Sequence, residues 1–212
     1  MSRNYVFAPG EYYHLYSRGA EKVKTYRQES DYRRFKEGLY LHNTEQSVNI
    51  RDAKKALSLG LTSGGSLYET ERGESIVDIG AYCLMPNHFH LLVREKVDGG
   101  ISKFMQKLMT SYTMFINKKY ERTGALFGSS FKARHILDDS HLKYLFAYIH
   151  LNPREIVGND LKLEDYQHSS YPDYVDMGRP EEAILSKGSF PDYFSGAMNK
   201  EIKEWLDYED TC

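Results

Sequence analysis

Cysteine is scarce in this chain of 212 residues, which contains only Cys83 and Cys212. Cys83 falls inside an apolar run that is typical of a strand, and Cys212 is the last residue, at an end where we expect fraying. We therefore expect no disulfide framework. Two cysteines this far apart also exclude a zinc site built from C-x-x-C motifs.

Long apolar runs are absent as well. No stretch approaches the roughly 20 apolar residues of a membrane-spanning helix, and residues 1–16 contain no apolar core of the signal-peptide type. We therefore expect a cytoplasmic protein. The charged fraction of 27% and the aromatic fraction of 14% fit a soluble chain with one well-buried core, with or without extensions.

A strong charge of either sign is also missing, because the net charge is only −2. It conceals two segments of opposite sign. Residues 96–136 hold eight bases against two acids, a net of +6, and residues 176–212 hold four bases against nine acids, a net of −5. The basic segment favours a polyanionic partner such as nucleic acid, although a solvated helix face balanced by an acidic tail explains the same counts.

Apolar periodicity predicts the element order β–α–(insertion)–β–β–α–β–α. Alternation of apolar and polar residues predicts strands at 12–16, 76–85, 88–95 and 126–137. Spacing near 3.6 residues predicts helices at 30–42, 101–120, 141–151 and 197–208. This order fits an α+β fold, with a ferredoxin-like antiparallel sheet and helices packed on one face of it.

Residues 44–75 differ in character from their surroundings. They contain a short helical stretch at 51–59 and the turn-rich sequence GLTSGGS, so we predict an insertion or mobile connection there. We predict one catalytic domain over residues 1–175 and an acidic C-terminal extension over residues 176–212.

The stretch LMPNHFHLLV, residues 84–93, places His88 and His90 two positions apart in a predicted strand. Alternate residues of a strand face the same side, so the two imidazoles converge on one point. That arrangement suits a metal ion. Two structural histidines that bond to backbone or water explain a bare H-x-H motif equally well.

A second motif, YIHLNP, ends the predicted helix at 141–151. Tyr148 and Asn152 are four residues apart and share one helix face, whereas His150 points about 200° away from Tyr148. Two imidazoles and one amide oxygen supply three ligands for a divalent cation. A tyrosine hydroxyl ionises only near pH ~10, and a nearby cation favours the phenolate. The pattern therefore proposes metal-assisted attack by Tyr148 on a phosphodiester.

These residues resemble a known family. HFH at 88–90, preceded by LMPN, is similar to the His-hydrophobic-His motif of the HUH endonucleases, and YIHLNP is similar to the single-tyrosine motif of their small transposases. The stretches 13–19 and 111–136 resemble the REP-associated tyrosine transposases. The likeness extends over 12–172, with its motifs in order.

The resemblance implies an HUH-type ferredoxin-like sheet, often dimeric, and a metal-dependent transposase that cleaves and rejoins single-stranded or hairpin DNA. In this reading His88 and His90 bind Mg²⁺ or Mn²⁺ and Asn152 completes the site. Tyr148 attacks the DNA and forms a 5′-phosphotyrosine with a free 3′-hydroxyl. Residues 44–75 are longer than the usual connection, and the acidic tail has no counterpart in the family.

Several basic residues are candidates for contacts with the DNA backbone. They are Arg18, Lys22, Lys103, Lys107, Lys118, Lys119, Lys132 and Arg134. Tyr112 is a rival nucleophile, although it fits the apolar stripe of its predicted helix, and Phe127 is a candidate for stacking on an unpaired base. Two other functions remain open: a zinc hydrolase that adds His150 or an acid to the histidine pair, and a nucleic-acid-binding protein that does not cut.

Overall fold

The computed structural model describes residues 6–62, 64–157, 162–175 and 178–192. Its strands are β1 (Tyr12–Arg18), β2 (Val77–Met85), β3 (His88–Glu95) and β4 (Lys132–Ile136). Its helices are α1 (Glu29–Leu41), α2 (Ile50–Ser58), α3 (Gly100–Lys119), α4 (Asp139–Leu151), α5 (Arg154–Val157) and α6 (Tyr171–Val175). The predicted helix at 197–208 and Cys212 lie outside the described residues. No helix within the described ranges is long and apolar enough to cross a membrane.

The four strands form one antiparallel sheet in the order β2-β3-β1-β4. Pro86 and Asn87 connect β2 to β3 as a hairpin in which Met85 pairs with His88. The α+β class and the antiparallel sheet predicted from the sequence are confirmed. The central position of β1 and β3 places their side chains at the middle of both sheet faces.

The two faces of the sheet carry different helices. Side chains such as Leu15, Phe89 and Leu91 pack with α1 and α3 in the larger core. Side chains such as Cys83 and Leu92 pack with α4 in a second core. The prediction of helices on one face is therefore corrected: α4 covers the opposite face, because its own apolar residues need a second sheet surface to bury them.

The start of α3 depends on two consecutive glycines. Gly99 has a φ of 71°, a left-handed conformation that glycine adopts without steric cost. A Cβ at Gly100 would collide with the carbonyl oxygen of Ile76. The carboxylate of Glu95 accepts a hydrogen bond from the backbone N–H of Ile101 at 2.7 Å, so the last residue of β3 satisfies one exposed donor of the new helix.

The fourth strand is shorter than predicted. Residues 126–130 turn back on the end of β1, where Gly19 forms an isolated bridge with Phe127. Phe127 is only 6% exposed and packs edge-on against Phe89. Its ring belongs to the core, so the prediction that it stacks on a base is wrong.

Segment 44–75 lies against the helices. Ile50 and Leu67 form a small buried cluster with Leu41, and Lys107 donates hydrogen bonds to three carbonyl groups at 44–46. Residues 178–192 also contact the sheet, since the ring of Phe190 lies where a Cβ at Gly80 would stand. The limits of the insertion and of the extension remain predictions.

Candidate active site

The sheet register gathers three histidines on the face that α4 covers. His90 pairs with Tyr16 of β1, and His14 stands two residues before Tyr16 on the same face. Nε2 of His14 lies 2.8 Å from Nδ1 of His90, and the two rings stack with centroids 5.0 Å apart. His14 was missed in the sequence because its neighbour on β3 depends on strand register. Only the alternation of His14 and Tyr16 with buried Tyr13 and Leu15 hinted at a polar face.

Burial keeps two of these imidazoles neutral. It lowers the pKa of His90 to about 3, with smaller contributions from His14 and His88. It lowers the pKa of His14 to about 4, assisted by the positive charge of Arg134. A neutral imidazole keeps one nitrogen lone pair, which is the form that binds a metal.

His88 is oriented by a short contact between its Nδ1 and the side chain of Asn87. Its Nδ1 lies 2.7 Å from Oδ1 of Asn87, and its Nε2 lies 3.4 Å from Oδ1 of Asn152. In the tautomer that carries its proton on Nδ1, His88 donates to Oδ1 of Asn87. Nε2 then turns a lone pair towards the carbonyl oxygen of Asn152. Two acceptors that face each other are stabilised by a cation between them.

The distance between these two acceptors fits one metal ion. Donor atoms about 2.1 Å from an octahedral cation lie about 3 Å apart at neighbouring positions, and the observed separation is 3.4 Å. The amide nitrogen of Asn152 points to the carbonyl oxygen of Tyr148, which keeps its oxygen turned to His88. Among the described residues, no three His, Cys, Asp or Glu side chains form a metal-binding group.

Tyr148 reaches the histidines from α4 of the same chain. Its ring stands edge-on to His90 at a centroid distance of 5.5 Å and to His14 at 6.2 Å. The side chain of Asp138 caps α4 by accepting from the N–H of His141. Tyr148 is half-buried at the margin of the α4 core, so its ring is held while part of it faces solvent.

The two rival residues lie elsewhere. Tyr112 is buried, and its hydroxyl donates to the carbonyl oxygen of Thr25 at 2.8 Å. Burial raises its pKa well above the usual range, which makes it a poor nucleophile. His150 is fully buried with Nε2 2.7 Å from Oγ of Ser170. It anchors α4 on the side away from His88 and His90, so it does not complete a zinc site with them.

Three of the predicted DNA contacts share the histidine face. Arg18 pairs with His88, Arg134 pairs with His14, and Lys132 pairs with Tyr16, so each cation stands beside a site residue. All three side chains are exposed. Lys22 is exposed in the turn that follows β1.

The remaining predicted contacts belong to α3, on the opposite face of the sheet. Lys119 lies 2.5 Å from the buried carboxylate of Asp31, Lys103 pairs with Glu45, and Lys107 holds the loop at 44–46. Lys118 is exposed. The single basic segment of the sequence is therefore divided between two faces of the molecule.

A known family resembles the part of the chain that contains this site. Residues 67–152 match the family model described as "Transposase IS200 like". The matched span contains His88, His90, Tyr148 and Asn152. Residues 67–152 are therefore similar to the IS200-like transposases, and the family resemblance predicted from the sequence is confirmed. No curated protein matches the sequence.

One solved structure has a similar fold. A structure described as a REP-associated tyrosine transposase bound to a REP hairpin has a TM-score of 0.54 at 13% identity, covering 93% of this chain and 92% of that chain. A tRNA(His) guanylyltransferase from Saccharomyces cerevisiae has a TM-score of 0.39 at 9% identity, covering 91% and 83%, and supports no further comparison.

Proposed function

We propose that this protein is a metal-dependent transesterase that cleaves and rejoins single-stranded DNA through Tyr148. The observation that supports the proposal most directly is the meeting of two motifs on one sheet face. The ring of Tyr148 lies beside His90, while Nε2 of His88 lies 3.4 Å from Oδ1 of Asn152. The matched transposase family makes DNA the expected substrate class.

In this proposal His88, His90 and Asn152 hold Mg²⁺ or Mn²⁺. A cation bound there would withdraw charge from a phosphodiester and favour the phenolate form of a nearby tyrosine. In this proposal His90 carries its proton on Nδ1 and donates it to Nε2 of His14, 2.8 Å away, so that Nε2 of His90 would bind the cation. His14 is thus a positioning residue.

The reaction exchanges one phosphate ester for another. The hydroxyl oxygen of Tyr148 bonds to phosphorus and loses its proton, the bond from phosphorus to the 3′ oxygen breaks, and that oxygen leaves as a 3′-hydroxyl after taking a proton. The new 5′-phosphotyrosine keeps the energy of the original ester. A 3′-hydroxyl that attacks it rejoins the strand and releases Tyr148.

The substrate that we propose is a single strand with a hairpin. The structural relative was solved with a REP hairpin, although its low identity shows a shared fold alone. Arg18, Lys132 and Arg134 would position the strand beside Tyr148 through its phosphates. Assembly as a homodimer is also proposed, and sedimentation of the purified protein tests it.

The test is a denaturing-gel assay with labelled hairpin DNA and Mn²⁺. The wild-type protein is expected to form a covalent protein–DNA band, and EDTA added before the DNA should prevent the band from forming. Tyr148→Phe should lose the band by a factor on the order of a thousand or more, because the nucleophilic oxygen is gone. Tyr112→Phe is the matched control and should retain it.

Two outcomes would reject the proposal. A band that persists in Tyr148→Phe and vanishes in Tyr112→Phe would show that Tyr112, and not Tyr148, is the nucleophile. Metal-independent binding without a covalent band, across a broad panel of hairpins, would favour a nucleic-acid-binding protein that keeps the fold and does not cut.

A further inference from the structure

A cavity of about 830 Å³ opens between α1, α2 and α3, on the sheet face opposite to the histidines. That volume lies within the range of small-ligand pockets. The cavity is lined by cations: none of the described residues that line it is acidic, and its charged lining residues are Arg34, Arg51, Lys54, Lys107 and Lys118, beside a neutral His42. Part of its wall, at 47–54, precedes the residues that match the transposase family.

Two polar atoms in this wall are buried without a partner among the described residues. They are Nε2 of His42 and Nη1 of Arg34. His42 is only 6% exposed. Arg34 uses its other terminal nitrogen to donate to Oγ of Ser111 at 3.1 Å. A buried polar atom without a partner is costly, so a ligand that gave either atom a hydrogen-bond partner would be favoured.

The charge of the wall is only partly neutralised by neighbouring acids. Burial lowers the pKa of Arg34 and lowers that of His42 to about 4. Both shifts express the cost of a desolvated positive charge, and a bound anion would raise both pKa values. Glu37 supplies the local negative charge, since it pairs with Lys54 at 2.7 Å and also acts on Arg34.

The N-terminus of α2 also faces the cavity. Asn49 caps this helix of nine residues by accepting from the N–H of Arg51 at 3.0 Å, and Asn49, Ile50 and Arg51 all line the wall. The positive end of a helix dipole favours an anion. Lys107 meanwhile holds the carbonyl oxygens of residues 44–46, which would otherwise repel one.

Part of the remaining wall is apolar, beside polar residues such as Gln106, Thr110 and Ser111. Val48, Ile50 and Phe115 line it, and Met114 stands at its margin with 68% exposure. The guanidinium of Arg34 lies over the ring of Phe115, with 5.4 Å between the guanidinium carbon and the ring centroid. A ligand that fits both parts has a phosphate at one end and a flat apolar ring at the other.

We propose that this cavity binds a nucleotide unit, with its phosphate beside Arg34, Arg51 and the start of α2 and its base beside Met114 and Phe115. The unit comes either from a free nucleotide or from a DNA strand. The proposal does not depend on the chemistry of Tyr148.

The test measures binding to the full-length protein without divalent metal, by ligand-observed NMR and calorimetry. The probes are deoxyadenosine monophosphate, deoxyadenosine and a single-stranded hexanucleotide. The monophosphate should bind more tightly than the nucleoside. Arg51→Ala should weaken binding of the monophosphate about tenfold, because it removes a charged hydrogen-bond donor.

Lys55→Ala is the matched control. It removes the same charge from an exposed position on α2 that does not line the cavity, so the affinity should stay at the wild-type value. If the hexanucleotide displaces the monophosphate, the proposal holds with a DNA strand as the source. If it does not, the proposal holds with a free nucleotide. Equal effects of the two substitutions, equal binding of the nucleoside, or no binding would overturn it.

Discussion

The three histidines of the site differ in what each ring nitrogen contacts. His88 uses Nδ1 on Asn87 and turns Nε2 to Asn152, whereas His90 uses Nδ1 on His14. In the proposed site Nε2 of each ring would be the nitrogen that binds the cation. This pattern is typical of metal-binding histidines, whose second nitrogen is fixed by a hydrogen bond. His14 therefore determines the orientation of His90 rather than supplying a further ligand.

Replacement of His14 should weaken metal binding. His14→Leu removes the acceptor for Nδ1 of His90, so we expect the Mn²⁺ affinity to fall about 10- to 100-fold. His14→Gln keeps an acceptor and should lose less. Calorimetric titration with Mn²⁺ measures the affinity directly. His135→Leu is the control, because His135 pairs with Tyr13 on the other face of the sheet. Equal losses in both leucine variants would assign His14 a packing role only.

At the scale of the element, α4 connects Tyr148, the proposed nucleophile, to the core. Tyr148 and Asn152 lie on the side towards the histidines. On another side, His150 contacts Ser170, whose backbone N–H donates to the carbonyl oxygen of Tyr82 in β2. Burial lowers the pKa of His150 to about 3. The position of Tyr148 therefore depends on a histidine that must stay neutral.

Acid should weaken this anchor. The folded-state pKa of His150 lies below the ordinary value, so the unfolded chain takes up a proton as the pH falls below about 6.5 while the folded chain resists it. Between pH 7 and pH 5 this residue should remove about 2 kcal/mol from the free energy of unfolding. Urea denaturation at both pH values should show a smaller loss for His150→Gln than for wild type.

The control for this prediction is Ile149→Val on the same helix. It creates a small cavity at a fully buried position and should cost about 1 kcal/mol at either pH. Its acid-induced loss should match that of wild type. If His150→Gln loses as much stability between pH 7 and pH 5 as Ile149→Val does, the titration belongs to other groups.

At the scale of the whole molecule, the sheet separates two cationic surfaces. Arg18, Lys132 and Arg134 surround the histidines, while the lysines of α3 lie beyond the sheet on its other side. The second surface is partly committed to internal contacts, such as that of Lys119 with Asp31. A hairpin bound at Tyr148 would therefore contact the first surface.

Hairpin affinity should depend on which face of the sheet carries a positive charge, rather than on the total number of positive charges. Lys132→Ala removes a phosphate contact, so it should weaken hairpin binding several-fold and reduce the slope of log K against log salt by about 0.7 to 0.9. Lys103→Ala removes the same charge on the far face and should change neither. Fluorescence anisotropy over a salt series measures both quantities. Equal slopes in the two variants would contradict this placement.

Local spacing alone determined much of this protein. A period of two residues brought His88 and His90 to one face, and a period of about four brought Tyr148 and Asn152 together, because backbone geometry sets these directions without help from distant residues. The same periodicity predicted the strands and long helices within a few residues, except that β4 is shorter.

Tertiary structure decided the features that depend on packing between distant parts of the chain. The contact of His14 with His90 spans 76 residues and follows from strand register. Which face α4 covers, which lysines turn inward and whether a cavity forms beside α2 all depend on burial of apolar surface between distant segments. The sequence determined the chemistry of the groups, and the packing of the sheet decided which of them meet.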